Sequence, residues 1–181
     1  MSVFTNMLEK LKKDETLIDI YRDEIVDNCL TGIISDYNDL LCYSSIVYED
    51  GTEDGISIVK TKDITRLRWE GNARESLILL MKEKKTTLSK PKLSILTLRE
   101  AIESVQNHFG YVDIHIEYMN DETCFIGEVE DIDDDHLVLN EFGTMSSRDR
   151  HRLLVPLDQI SRIDAGDQYE KDIVFLSKNN R

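Results

Sequence analysis

Apolar side chains recur along this chain with two different periods, and each period appears twice. Phe4, Met7, Leu8 and Leu11 fall at i, i+3, i+4 and i+7, the spacing that lines one face of a helix; Leu98, Ala101, Ile102 and Val105 repeat it 94 positions later. The second run carries its own start and stop. Thr97, with Glu100 three residues on, can satisfy unpaired amides of a first turn, and Gly110 suits the left-handed residue that ends a helix. After each run the period changes to two: LIDIYRDEI (17–25) and VDIHIEYM (112–119) alternate apolar and polar residues as strands do, with Asp19-Ile20 matched to Asp113-Ile114.

The correspondence continues to the end of the chain. Its offset grows to 95 across CLTGIISD (29–36) and CFIGEVED (124–131), pairing Cys29 with Cys124 and Gly32 with Gly127, and to 96 across KDITRLRW (62–69) and DQISRIDA (158–165). A glycine within a strand marks a sharp bend or a close backbone approach, so Gly32 and Gly127 are predicted structural glycines. The apolar runs Leu77–Leu80 and Ile173–Leu176 read as one additional strand in each half. An offset that drifts by single steps, and only across turns, is what duplication followed by loop editing leaves. The predicted fold is therefore mainly β with short helices (α+β): a helix plus a small, strongly bent, five- or six-stranded barrel, written twice. Units at 1–81 and 95–181 flank a basic linker, 82–94, whose lysines and Pro91 suit an exposed connector.

In the second half Phe125, Gly127, Val129, Ile132 and Asp133, followed by the apolar triplet Leu137, Val138 and Leu139, resemble the first motif of the Sm-like family, the Sm, LSm and Hfq-type proteins. Leu30, Gly32, Ile34, Tyr37 and Asn38 occupy the same places in the first half. The family's second motif, I-R-G, is replaced by Val59-Lys60-Thr61 and by Val155-Pro156-Leu157. The resemblance implies an SH3-like barrel, an RNA pocket lined by the two motif turns, and assembly through exposed strand edges. In the second half that pocket would carry Asp133, Asp134 and Asp135, whose charges repel phosphate at close range. The first half, with Tyr37, Asn38 and Lys60, is the less hostile copy.

Charge narrows the partners further. The formal net charge is -14, which opposes attraction to polyanions and anionic membranes. Only residues 82–92, with five basic side chains against one acidic, form a positive island; Lys82, Lys84 and Lys85 within it are candidate contacts for RNA or an acidic partner. Trp69, the sole tryptophan, is a candidate contact or a rim-packing residue. The recurrence of arginine at 66 and 162 predicts ion pairs with neighbouring strand carboxylates.

Chemistry is sparsely signalled. Three cysteines form no C-x-x-C, and the four histidines show no i, i+4 pair, so no metal, cofactor or catalytic residue is assigned. The acid run around Asp133 lacks the glycine and terminal glutamate of a calcium loop and reads as a solvated turn, with weak divalent binding or a basic partner as the alternative. With no targeting or spanning segment read, the chain is expected to be soluble and cytoplasmic, with no membrane partner. The leading expectation is a non-catalytic adaptor or assembly module that binds protein. RNA binding through the first unit and the lysine linker is the alternative, and a small-molecule sensor or enzyme with an inter-barrel pocket comes third; self-association through strand edges is a further option.

Overall fold

Residues 2–120, 123–147 and 149–179 are described by the computed structural model. Contacts divide the chain into two units, Met1–Lys90 and Pro91–Arg181. Both are mixed α+β, with four helices and ten strands among the described residues, and the strands pair antiparallel within each unit.

In the first unit Ser2 accepts a hydrogen bond from the Thr5 amide and starts α1 (Val3–Lys13); Leu8 and Leu11 of its apolar face are buried. Four strands follow, β1 (Ile18–Tyr21), β2 (Leu30–Tyr37), β3 (Leu41–Val47) and β4 (Glu53–Lys60), then a 3-10 turn at Thr61–Asp63 and β5 (Arg66–Trp69). The strand order is β5-β1-β2-β3-β4, so the last strand returns beside the first. Strand alternation splits the apolar residues between two faces. Ile18, Ile20, Ile34, Cys42 and Val59 pack with Leu8 and Leu11 on the α1 side, while Leu17 and Val47 pack with Leu77 of α2 (Asn72–Lys84) on the other.

The second unit repeats this order. Thr97 caps α3 (Leu98–Phe109) by accepting from the Glu100 amide, and Gly110 closes it at φ +83°, in the left-handed region that favours glycine. The strands are β6 (Val112–His115), β7 (Cys124–Ile132), β8 (His136–Glu141), β9 (Arg152–Pro156) and, after a 3-10 turn at Leu157–Gln159, β10 (Arg162–Ala165). Their order, β10-β6-β7-β8-β9, is that of the first unit. Helix α4 (Gln168–Lys178) follows, started by a capping box between Asp167 and Glu170.

Gly32 and Gly127 sit where strands approach most closely. A Cβ on Gly127 would lie 2.5 Å from the Asn140 carbonyl oxygen, and one on Gly32 would fall inside contact distance of the Ser45 carbonyl. Two expectations are corrected. Leu77–Leu80 and Ile173–Leu176 are not strands: they belong to α2 and α4, so each unit has five strands among the described residues. Lys82 and Lys84 are likewise not connector residues but the last turn of α2, which ends with Lys85 in the left-handed conformation. Four apolar residues in a row carry no period, and the Leu-, Met-, Glu- and Lys-rich sequence around them favours helix.

Candidate functional site

The residues expected to form a contact surface in the first unit separate into groups. The Tyr37 hydroxyl donates to Glu9 Oε2 at 2.9 Å, tying β2 to α1. Asn38 accepts from the Leu40 and Leu41 amides at 2.7 and 2.8 Å and so shapes the β2–β3 turn; Lys60 is opposite Leu41 in the β3–β4 register, which places it beside that turn. Lys84 instead reaches Asp50 at 2.7 Å, beyond the far end of β3. The seven residues of β3 span roughly 20 Å, so Tyr37, Asn38 and Lys60 do not share a patch with Lys82, Lys84 and Lys85. Trp69 ends β5 and packs half-buried against the α1-side core.

The polar side chains that the fold does bring together lie on and just beyond the ends of β1 and β5, and again of β6 and β10. Arg66 Nη2 donates to Asp23 Oδ1 (2.7 Å) and Thr65 Oγ1 to Asp23 Oδ2 (2.6 Å); together they hold the Asp23 carboxyl down at about 2. In the second unit Ser161 Oγ donates to Glu117 Oε2 (2.8 Å), with Arg162 Nη1 3.5 Å from Glu117 Oε1. The backbone repeats too: Thr65 N donates to Tyr21 O and Ser161 N to His115 O, both at 2.9 Å. The ion pairs expected of Arg66 and Arg162 are thus present.

Two residues along from Arg66 and from Arg162 the units diverge. Asp19, fully buried, faces Arg68 across β1 and β5 and is paired with Arg68 (2.7 Å) and with Arg74 of α2; Thr31 donates to it at 2.8 Å. Its counterpart Asp113 faces Asp164, not an arginine, across β6 and β10. The residue 96 places after Arg74 is Glu170, buried on α4. Burial, reinforced by the Asp167 carboxylate, pushes the Glu170 carboxyl up to about 9; Tyr111 donates to its Oε2 at 2.9 Å.

Around Asp113 the strand register assembles a compact set of donors. His115 is two residues along β6, on the same face, and it is opposite both Cys124 on β7 and Arg162 on β10. His115 Nε2 lies 3.4 Å from Asp113 Oδ2 and 3.1 Å from Asp164 Oδ2, while Arg162 Nη2 stands 2.9 Å from Nδ1. Burial opposes a charge on His115, but the Asp164 and Asp113 carboxylates outweigh it and raise the imidazole to about 9. Burial and the adjacent Asp113 carboxylate likewise push the Cys124 thiol up. The donor atoms of Asp113, His115 and Cys124 all lie within 4.8 Å of one another. Spacing along the sequence signals none of this, because Cys124 joins the set only through cross-strand register.

The acid run behaves as a turn: Asp133 Oδ1 accepts from the Asp135 and His136 amides at 2.8 and 2.6 Å, as Asn38 does in the first unit. Two grooves of about 540 and 520 Å³ lie within the first unit, the second floored by Thr31, Arg68 and Arg74. Among the described residues no helix is long and apolar enough to cross a membrane. Comparison of the chain with protein-family models, with curated proteins and with solved structures finds no match.

Proposed function

We propose that the chain is a non-catalytic adaptor of two Sm-like units in tandem, and that it binds a protein partner through the edge strand β9. The Sm-like reading draws support from the order shared by both units: helix, four antiparallel strands, a 3-10 turn, and a last strand returning beside the first. The glycines against which a neighbouring strand presses, and the Asn38 and Asp133 turns, stand where the sequence resembles the first motif of that family.

The observation that carries the binding mode is β9. It ends the strand order of its unit, bonded along one side to β8, and Arg152, Leu154 and Pro156 alternate outward with Leu154 63% exposed. An edge of this kind accepts an added strand, with main-chain hydrogen bonds supplying affinity and outward side chains supplying choice. Residues 93–181 carry 8 basic and 19 acidic side chains, which favours a basic segment as that strand. RNA binding has less support, since Tyr37 and Asn38 spend their polar groups inside the fold.

Affinity capture with the full chain, probing both protein and RNA, tests the proposal. A protein partner retained by wild type and lost with Leu154→Asp, at unchanged melting temperature, is the expected result. Recovery of RNA that falls steeply with salt and disappears in the Lys82→Glu, Lys84→Glu, Lys85→Glu triple variant would overturn it in favour of the RNA reading.

A further inference from the structure

The divergence between the units is a change of charge at fixed positions. Around Asp19 the fold supplies two arginines; around Asp113 the same two places hold Asp164 and Glu170. Asp113 has one buried oxygen, Oδ1, with no hydrogen-bond partner among the described residues. A carboxylate oxygen without a donor in a buried site is costly unless a cation meets it. The neighbouring thiol, imidazole and second carboxylate make no hydrogen bond to that oxygen.

We infer that Asp113, His115 and Cys124 form a binding site for one divalent transition-metal ion of the zinc class, with Asp164 as the fourth ligand. Donor atoms in a tetrahedral zinc site, with bonds of about 2.0–2.3 Å, stand roughly 3.3–3.8 Å apart. His115 Nε2 stands 3.4 Å from Asp113 Oδ2, inside that range, and 3.1 Å from Asp164 Oδ2, a little short of it, and the three-residue set needs to contract by about 1 Å from its 4.8 Å limit. A mixed oxygen, nitrogen and sulfur set selects zinc or cobalt over magnesium or calcium, which take oxygen alone. The exposed side of Cys124 gives the ion its way in. The metal takes the place of the proton on the ligating imidazole nitrogen and on the thiol, and Arg162 turns from the ring and from Asp164 Oδ2, which its Nε meets at 3.1 Å, toward Glu117, 3.5 Å from its Nη1. Four protein ligands leave no open position, so the ion ties β6, β7 and β10 together and activates no water.

The test uses the untagged full chain, reduced and stripped with a chelator, then titrated with cobalt(II) and with zinc(II) against a chromophoric chelator. One cobalt per chain, with a thiolate-to-cobalt charge-transfer band that zinc abolishes, is expected. Cys124→Ser should remove the band while Cys29→Ser retains it, and Asp113→Asn should weaken zinc at least about 100-fold, the upper end of what loss of even an outer partner costs. Circular dichroism of each metal-free variant checks folding; Cys124, being exposed, is the substitution the fold tolerates best. Absence of saturable binding up to millimolar metal, or binding and absorption unchanged in Cys124→Ser and Asp113→Asn, overturns the inference.

Discussion

Replacing Arg74 by methionine isolates the energetics of the buried ion pair in the first unit. The Asp19 side chain is 0% exposed, Arg74 is 13% exposed and Arg68 is 56% exposed, so Arg74 is the partner that shares the low-dielectric environment. Methionine keeps the aliphatic stem and removes the charge. Breaking a buried pair from one side costs about 3–5 kcal/mol, because the remaining charge stays desolvated. Arg68 and the Thr31 hydroxyl remain, which places the expected loss at the lower end, about 3 kcal/mol. For a cooperative unit of this size that corresponds to a fall in melting temperature of roughly 12–24 °C. Thermal and urea unfolding followed by circular dichroism measure it. Adding Asp19→Asn to Arg74→Met should restore about 1–2 kcal/mol, since a neutral amide needs no counter-charge. A single variant melting within about 3 °C of wild type, or a double variant no better than the single, would refute the account.

Two further perturbations probe the backbone and the second unit. Gly32→Val or Gly127→Val should cost about 3 kcal/mol or more, because the new side chain meets the Ser45 or Asn140 carbonyl and the paired strand must move; wild-type-like denaturant unfolding would refute the close approach. Glu170, at about 9 in the fold against an ordinary 4.5, contributes stability that is complete below pH 4.5 and is lost as pH rises toward 9. Between pH 5 and pH 7 that loss approaches about 3 kcal/mol, and Glu170→Gln should abolish it, giving a flatter pH profile in urea unfolding than wild type.

The amphipathic helices were legible because a period of 3.6 announces itself without tertiary knowledge: the faces read from Phe4 to Leu11 and from Leu98 to Val105 are the faces that the units bury, apart from Phe4 and Leu98 at their starts. Gly32 and Gly127 were legible for a similar reason, since a strand interior rarely tolerates glycine unless another backbone presses on it. Helices α2 and α4 were misread where apolar runs of four residues gave no period. The capping pair Asp167 and Glu170, the same signal that identified Thr97 and Glu100, marked α4 in plain view. The assembly of Asp113, His115 and Cys124 lay beyond reach: β7 meets β6 in a register that nothing local fixes, and a slip by one residue would send Cys124 to the other face.

Cys42 lies in the centre of the α1-side core, fully buried, with burial pushing its thiol up to about 12. Only the thiolate reacts with alkylating agents, so this sulfur is silent while the unit stays closed and is labelled only from the open form, at a reagent concentration where reclosing outpaces alkylation. The chain thus carries its own clock for first-unit breathing, one that requires no engineered probe: the labelling rate of Cys42, set against that of an unfolded thiol, reads out the free energy of opening under native conditions.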